Sequence, residues 1–308
     1  MKTRFALAWL SVALSLLPGL LPRAQAGSVT LKRSFIETYK DRATIDASFT
    51  VDHAHRQPNP AAKDGDMHVA GRSQKQVGLP MVAEVMNASA DDQVAAVNEI
   101  HKDEGDNQPV AITGAWRLWF EHPSAEPQIQ GAVVEVPGNT NPDHCFEIHP
   151  ITTFAGNAVP NSFQFVDGFA PYDANKAFGS YEKLTVALQV TDTAVTITSP
   201  KAGYNYTQFF LEFVGKSKPL KDGGAVVLAN VLAESQGEPV AENIRMIFVP
   251  GTRPAAKLAK EKPGDGDEWH VMGIPRVSLA GISSWIQQGG GSVTKRKLPY
   301  EIIIVGVE

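Results

Sequence analysis

The sequence has a single cysteine, Cys145, in 308 residues. An internal disulfide is therefore excluded, and the fold must hold by burying a core rather than by covalent staples. Cys145 also lies far from the N-terminus, so lipid attachment to a cysteine just behind a leader is excluded. No Lys or Arg adjoins it in sequence to lower its pKa, which argues against a nucleophile. Long apolar runs are equally scarce. The stretch Phe5 to Leu17 is shorter than the roughly 20 residues a membrane-spanning helix needs, and no other segment is apolar enough to span. Three catalytic signatures are missing: a Walker A loop, H-E-x-x-H and G-x-S-x-G. A basic excess is missing too. Residues 27–156 carry 10 Lys and Arg against 18 Asp and Glu, whereas residues 157–308 carry 15 of each. An acidic first half repels phosphate backbones, so tight general nucleic-acid binding is not expected.

The N-terminus supplies what the rest lacks. Lys2 and Arg4 precede the apolar run, Pro18 and Gly19 break it, and Ala24-Gln25-Ala26 follows. This is the order of a cleavable secretory signal. The expectation is a signal peptide over residues 1–26, cleavage after Ala26, and a mature protein in the periplasm or medium. Two domains are expected beyond it, over 27–156 and 157–308.

The first of these reads as strands with one helix. Ile45, Ala47, Phe49 and Val51 alternate through 43–55, as on a half-buried strand. Residues 66–70 and 80–86 are two more strands, joined by a polar, glycine-bounded hairpin connection at 71–79. Ser89, with Asp91 and Asp92 in a first turn, opens a predicted helix over 89–102. Strands follow at 109–120 and 144–153, with a short one at 133–136. Pro150 inside the last main strand suits a bulge or an edge. The order strand, strand, strand, helix, strand, strand resembles the OB-fold, a five-stranded Greek-key barrel.

Three short motifs add to this. Asp66-Met67-His68, Val82-Ala83-Glu84 and Glu147-Ile148-His149-Pro150 together resemble the D-x-H, A-E and E-(I/L)-H-P pattern of uncharacterised secreted bacterial OB-fold-like proteins, over residues 43–153. That resemblance implies the barrel fold and no settled activity. The run Asp64-Gly65-Asp66 is similar to the thermonuclease-type OB enzymes, but the arginines those enzymes use have no counterparts at matching positions.

The second half is also rich in predicted strands: 183–190, 193–198, 206–214, 224–233, 243–249 and 299–307. Residues 254–268 read as a charged loop and 276–287 as one helix stopped by Gly289–Gly291. The fold class is therefore mainly β: an OB-like five-stranded barrel with one helix, followed by a β-rich, sandwich-like domain. No internal repeat stands out.

Strand alternation nominates a site. Met67 and Val69 oppose Asp66 and His68; Met81, Ala83 and Val85 oppose Glu84; Phe146 and Ile148 oppose Glu147 and His149. In OB topology the third strand pairs with both the second and the fifth. Glu84 then lies between Asp66 and His68 on one side and Glu147 and His149 on the other. Three carboxylates and two imidazoles on one face suit a divalent metal ion or a general acid–base pair, with Glu84 and Glu147 as the catalytic candidates. The same residues also suit a hydrogen-bonded network between domains or a solvated strand face. His53 and His55 extend the first strand toward solvent, and His122 and His144 near strand ends suit the surface. Trp116, Trp119 and Phe120 suit the core or the domain interface, and Arg117 between them suits a carboxylate partner. Two functions follow. One is an extracytoplasmic ligand-binding or interaction module, with an unknown ligand or protein partner. The other is a metal-assisted, phosphodiesterase-like hydrolase in which Asp66, His68 and His149 hold the ion.

Overall fold

The computed structural model describes residues 26–159 and 163–308. The leader read over 1–26 thus lies outside the described residues, except for Ala26. The first half runs β1 (Ala26–Lys32), α1 (Arg33–Tyr39), β2 (Thr44–Ala54), β3 (Met67–Arg72), β4 (Met81–Val85), a 3-10 turn (Asp91–Gln93) leading into α2 (Val94–Asp103), β5 (Pro109–His122), β6 (Gln128–Ile129), β7 (His144–Phe154) and β8 (Asn157–Ala158). The second runs β9 (Tyr172–Asp173), α3 (Ala174–Tyr181), β10 (Thr185–Val190), β11 (Ala194–Pro200), β12 (Thr207–Pro219), β13 (Ala225–Leu232), β14 (Pro239–Phe248), α4 (Arg253–Glu261), β15 (Glu268–Val277), α5 (Leu279–Gln287), β16 (Val293–Lys297) and β17 (Tyr300–Val307).

Strands β4-β3-β2-β5-β7 form a barrel that parallel pairing of β4 with β7 closes, with Val82 opposite Glu147. Helix α2 lies between its third and fourth strands, so the expected OB-like barrel is present. The apolar alternation decides its inside. Phe49, Val51, Met67, Val69, Met81, Ala83, Val85, Phe146 and Ile148 are all buried in one core, and that burial is the main force holding a chain without disulfides.

The second half is β-rich as expected, but it closes into a barrel rather than a sandwich. Its strands run β13-β14-β17-β15-β12, and β13 pairs back to β12. The connectivity repeats that of the first barrel: third and fifth strands parallel (β14 with β17), first strand beside second and fourth (β12 with β13 and β15), and a helix, α4, after the third. A short sequence echo accompanies it. Gly114-Ala115-Trp116-Arg117 on β5 matches Gly273-Ile274-Pro275-Arg276 on β15, and Glu147-Ile148 on β7 matches Glu301-Ile302 on β17. Both glycines are required by close approach. A Cβ at Gly114 would lie 2.6 Å from Ile148 Cγ2, and one at Gly273 would lie 2.3 Å from Ile302 Cγ2.

A third sheet, β16-β10-β11-β1-β6, draws strands from both halves. Residues 133–136 are not a strand; Gln128–Ile129 pairs with β1 instead. The charged segment expected as a loop contains α4, which Thr252 caps by accepting from Ala255 N, with Pro254 in the first turn. The segment read as one helix splits at Ser278: β15 ends at Val277, and Ser278 Oγ caps α5 by accepting from Gly281 N at 3.1 Å.

The barrels meet along an apolar seam. Met86 and Ala115 of the first pack with Phe163, Val166, Tyr206, Ile247, Val249, Met272, Ile274 and Ile303. At the seam the two matching arginines reach across reciprocally. Arg117 Nε donates to Pro275 O at 3.0 Å, and Arg276 Nη1 donates to Trp116 O at 2.9 Å. Each accepting carbonyl belongs to the residue just before the other arginine. Each guanidinium also binds the glutamate opposite it on its own barrel, Glu147 or Glu301.

Candidate functional site

The five residues nominated from strand alternation meet in one cluster, four of them buried and His68 at its partly exposed edge. Asp66 sits just before β3, His68 on β3, Glu84 on β4, and Glu147 and His149 on β7. The pairing of β4 with both neighbours brings them together: His68 faces Glu84 in register, and His68 Nε2 lies 3.4 Å from Glu84 Oε2. His149 is the hub. Its Nδ1 is 3.2 Å from Glu147 Oε2 and 3.6 Å from Glu84 Oε2, and its Nε2 is 2.6 Å from the Tyr206 hydroxyl and 3.6 Å from Asp66 Oδ2. The Tyr206 hydroxyl donates to Asp66 Oδ2 at 2.6 Å. It therefore accepts from His149 Nε2.

Tyr206 comes from the second barrel and caps the cluster. Asp66 is 1% exposed, Glu147 2% and His149 0%. Apart from the partly exposed His68, the face is closed to solvent. It is a hydrogen-bonded network at the seam between the barrels.

Charge is arranged in layers. Arg117, fully buried, binds Glu147, Glu121 at 2.9 Å and the Pro275 carbonyl. Burial alone would push the Glu147 carboxyl up, but Arg117, with His144 and His149, holds it well below the usual range. Burial would pull the His149 imidazole down, yet Glu84, Glu147 and Asp66 raise it to about 9. Both of its nitrogens can then donate, which matches their neighbours. Glu84 is lowered because His149 and His68 outweigh its burial. Asp66 goes the other way. Its burial dominates, Glu84 and Asp64 repel its charge, and its carboxyl is raised well above the ordinary value. One oxygen of that carboxylate, Oδ1, is buried without a hydrogen-bond partner, as is Nδ1 of His68.

Asp66, Glu84 and His149 each offer a ligand atom, and the three atoms lie within 4.8 Å of one another. The set can hold a divalent ion. His68 and Glu147 border the three.

Other expectations resolve individually. His144, expected at the surface, is 1% exposed and Nε2 lies 3.1 Å from Glu147 Oε1. A register irregularity between Leu118 and His122 accompanies this turn inward, which simple alternation cannot foresee. His122 stacks on it at 5.2 Å. His55 stacks on His68 at 4.7 Å. Trp116, Trp119 and Phe120 are buried. The Cys145 thiol is pushed up to about 12, chiefly by burial. Two participants went unforeseen in sequence. Arg276 could be found from the echo with Gly114–Arg117. Tyr206 carries no motif, and its role depends on how the barrels dock.

No protein-family model and no curated protein sequence matches this chain.

Proposed function

We propose that the chain is an exported, non-enzymatic binding module built from two OB-like barrels, with its ligand surface away from the buried polar cluster. The observation that carries this reading is the cap over that cluster. A hydrolytic metal centre keeps a coordination position open to substrate. Here Tyr206 and the second barrel cover Asp66, Glu84 and His149, so Glu84 and Glu147 have no substrate to act on. An accessible groove of about 290 Å³ lies elsewhere on the first barrel, between α1 and the β3–β4 hairpin, with Lys32, Tyr39, Lys75, Gln76 and Gln130 in its walls. Among the described residues neither Lys32 nor Lys75 is in an ion pair. Two unpaired ammonium groups on an otherwise acidic barrel favour a ligand with a local negative charge.

The test pairs two assays. Phosphodiester turnover with zinc, manganese or magnesium is expected to stay at background, and an oligoglutamate peptide is expected to bind with an affinity that Lys75→Glu lowers at least about tenfold, because the reversal removes one attraction near a surface and adds one repulsion. Metal-dependent turnover abolished by Glu84→Gln would overturn the reading in favour of a hydrolase.

A further inference from the structure

The two barrels supply an internal comparison. Taking Glu147 as the counterpart of Glu301, the strand registers match Val82 to Arg245, Glu84 to Ile247 and His149 to Ile303. One strand over, His68 matches Val226. In the second barrel the counterparts of Glu84, His149 and His68 are aliphatic and belong to the apolar seam. The first barrel places a carboxylate and two imidazoles at the same positions. The fold therefore closes its seam without polarity there. Burying polar groups costs free energy unless they are satisfied, and this cluster is left with Asp66 Oδ1 unpartnered on a side chain that is 1% exposed. Docking alone explains neither feature.

We propose that Asp66, Glu84 and His149 form a buried site for one zinc-class divalent cation that fastens the first barrel at the seam. Two carboxylates neutralise a divalent charge, which a buried site needs. The imidazole selects against magnesium and calcium, which prefer all-oxygen shells. Glu147 acts as a positioning residue. Held by Arg117 and His144, it accepts from His149 Nδ1, and the ion takes Nε2, on the Asp66 side, in place of the proton that Nε2 otherwise gives to the Tyr206 hydroxyl. Tyr206 adjoins both Asp66 and His149 and closes the site from the second barrel. The inference is independent of the groove reading above. Its failure would leave oligoglutamate binding untouched, and the reverse holds as well.

The test uses the full mature chain, stripped with chelator and dialysed, and zinc ion alone. One zinc per chain is expected, with a melting temperature raised by several degrees at saturating zinc, because a ligand bound only to the folded state stabilises it. Magnesium should give no shift. Asp66→Asn and Glu84→Gln, both near-isosteric, should each weaken zinc binding at least tenfold, while Glu126→Gln on the surface should not. Absence of stoichiometric zinc on the folded chain overturns the proposal. So does stoichiometric zinc unaffected by either variant, which would place the ion on other histidines. Should the variants fail to fold, cobalt added to the unaltered chain decides: paramagnetic shifts of the His149 ring protons support the site, and their absence overturns it.

Discussion

Arg276 is the most heavily used buried charge at the seam, and its removal gives a sharp test of how the barrels are held. Its Nε donates to Glu301 at 2.8 Å, Nη1 to Trp116 O at 2.9 Å and Ala43 O at 3.2 Å, and Nη2 to Arg42 O at 3.1 Å. The guanidinium also lies 3.5 Å from the centre of the Trp116 ring. Burial pulls this arginine down to about 10 against the pull of Glu301, so it stays charged at neutral pH. Arg276→Met keeps the bulk but leaves Glu301 and three carbonyls without this donor. Breaking a buried ion pair by removing one member costs about 3–5 kcal/mol. Glu301 retains Arg245 Nε and Ser278 Oγ, which places the loss near about 3 kcal/mol, the lower end of that range. At roughly 2–4 °C per kcal/mol for a chain this large, melting should fall by about 6–12 °C. Arg276→Lys should recover little, because one ammonium cannot reproduce the planar fork. In the Arg276→Met background, adding Glu301→Gln should cost less than it does alone, with a coupling of about 1–3 kcal/mol in urea melts. A melting temperature within about 2 °C of the unaltered protein, at most about one kcal/mol on the same scale, would show that the seam is held by its apolar contacts and that the arginine is incidental.

Other outcomes follow from the same geometry. Tyr206→Phe removes the hydroxyl that joins His149 Nε2 to Asp66 Oδ2; with two buried polar atoms losing a partner, it should cost about 1–3 kcal/mol in metal-free protein, and a neutral result would mean that the cluster re-pairs within the first barrel. Cys145, 1% exposed and raised to about 12, should resist iodoacetamide at neutral pH in the folded protein and react once the chain is unfolded in urea. Labelling of the native thiol at a free-cysteine rate would contradict its burial.

The first barrel was legible because its strands are amphipathic in register. Ile45 to Val51, Met67 and Val69, and Met81 to Val85 each show a period of two, and the pattern ties Asp66, His68, Glu84, Glu147 and His149 to one face. The second barrel was less legible because its closing strand is buried on both sides. Every residue of β17, Tyr300–Val307, is buried, since one face fills the barrel and the other fills the seam. A continuous apolar run carries no alternation, so it announces a buried strand without saying what covers it. The missed elements are those whose signals are local and brief. Residues 254–268 begin with Pro just behind the N-cap Thr252 but are rich in Lys and Gly, and their helix packs against β17 and β14. β15 was hidden behind Gly264 to Asp267 at one end and merged with α5 at the other.

The third sheet bears on the groove proposed as the ligand surface. β1 and β6, from the first half, pair with each other, and β1 pairs with β11 along its whole length, so the two halves are joined there as well as at the arginine seam. Lys32 ends β1, Gln130 Oε1 accepts from its backbone N at 2.9 Å, and both residues line the groove. The neighbouring recess is lined by Lys32, Arg33, Ile129 and Gln130 together with Asp192, Thr193 and Ala194 of the β10–β11 turn. A ligand in the groove therefore bears on backbone that belongs to the joining sheet, while Tyr206 and the cluster beneath it hold the opposite contact. The two halves are pinned at two separate places by different chemistry: backbone strand pairing at one, and apolar burial, arginine–carbonyl hydrogen bonds and the Tyr206 contacts with Asp66 and His149 at the other. Rotation of one barrel against the other would have to break the β1–β11 ladder or the Arg117 and Arg276 contacts, and either loss is large against a total stability of about 5–15 kcal/mol. A ligand taken up in the groove, as proposed, would thus meet a rigid pair of barrels, without the domain closure that a single flexible linker would permit.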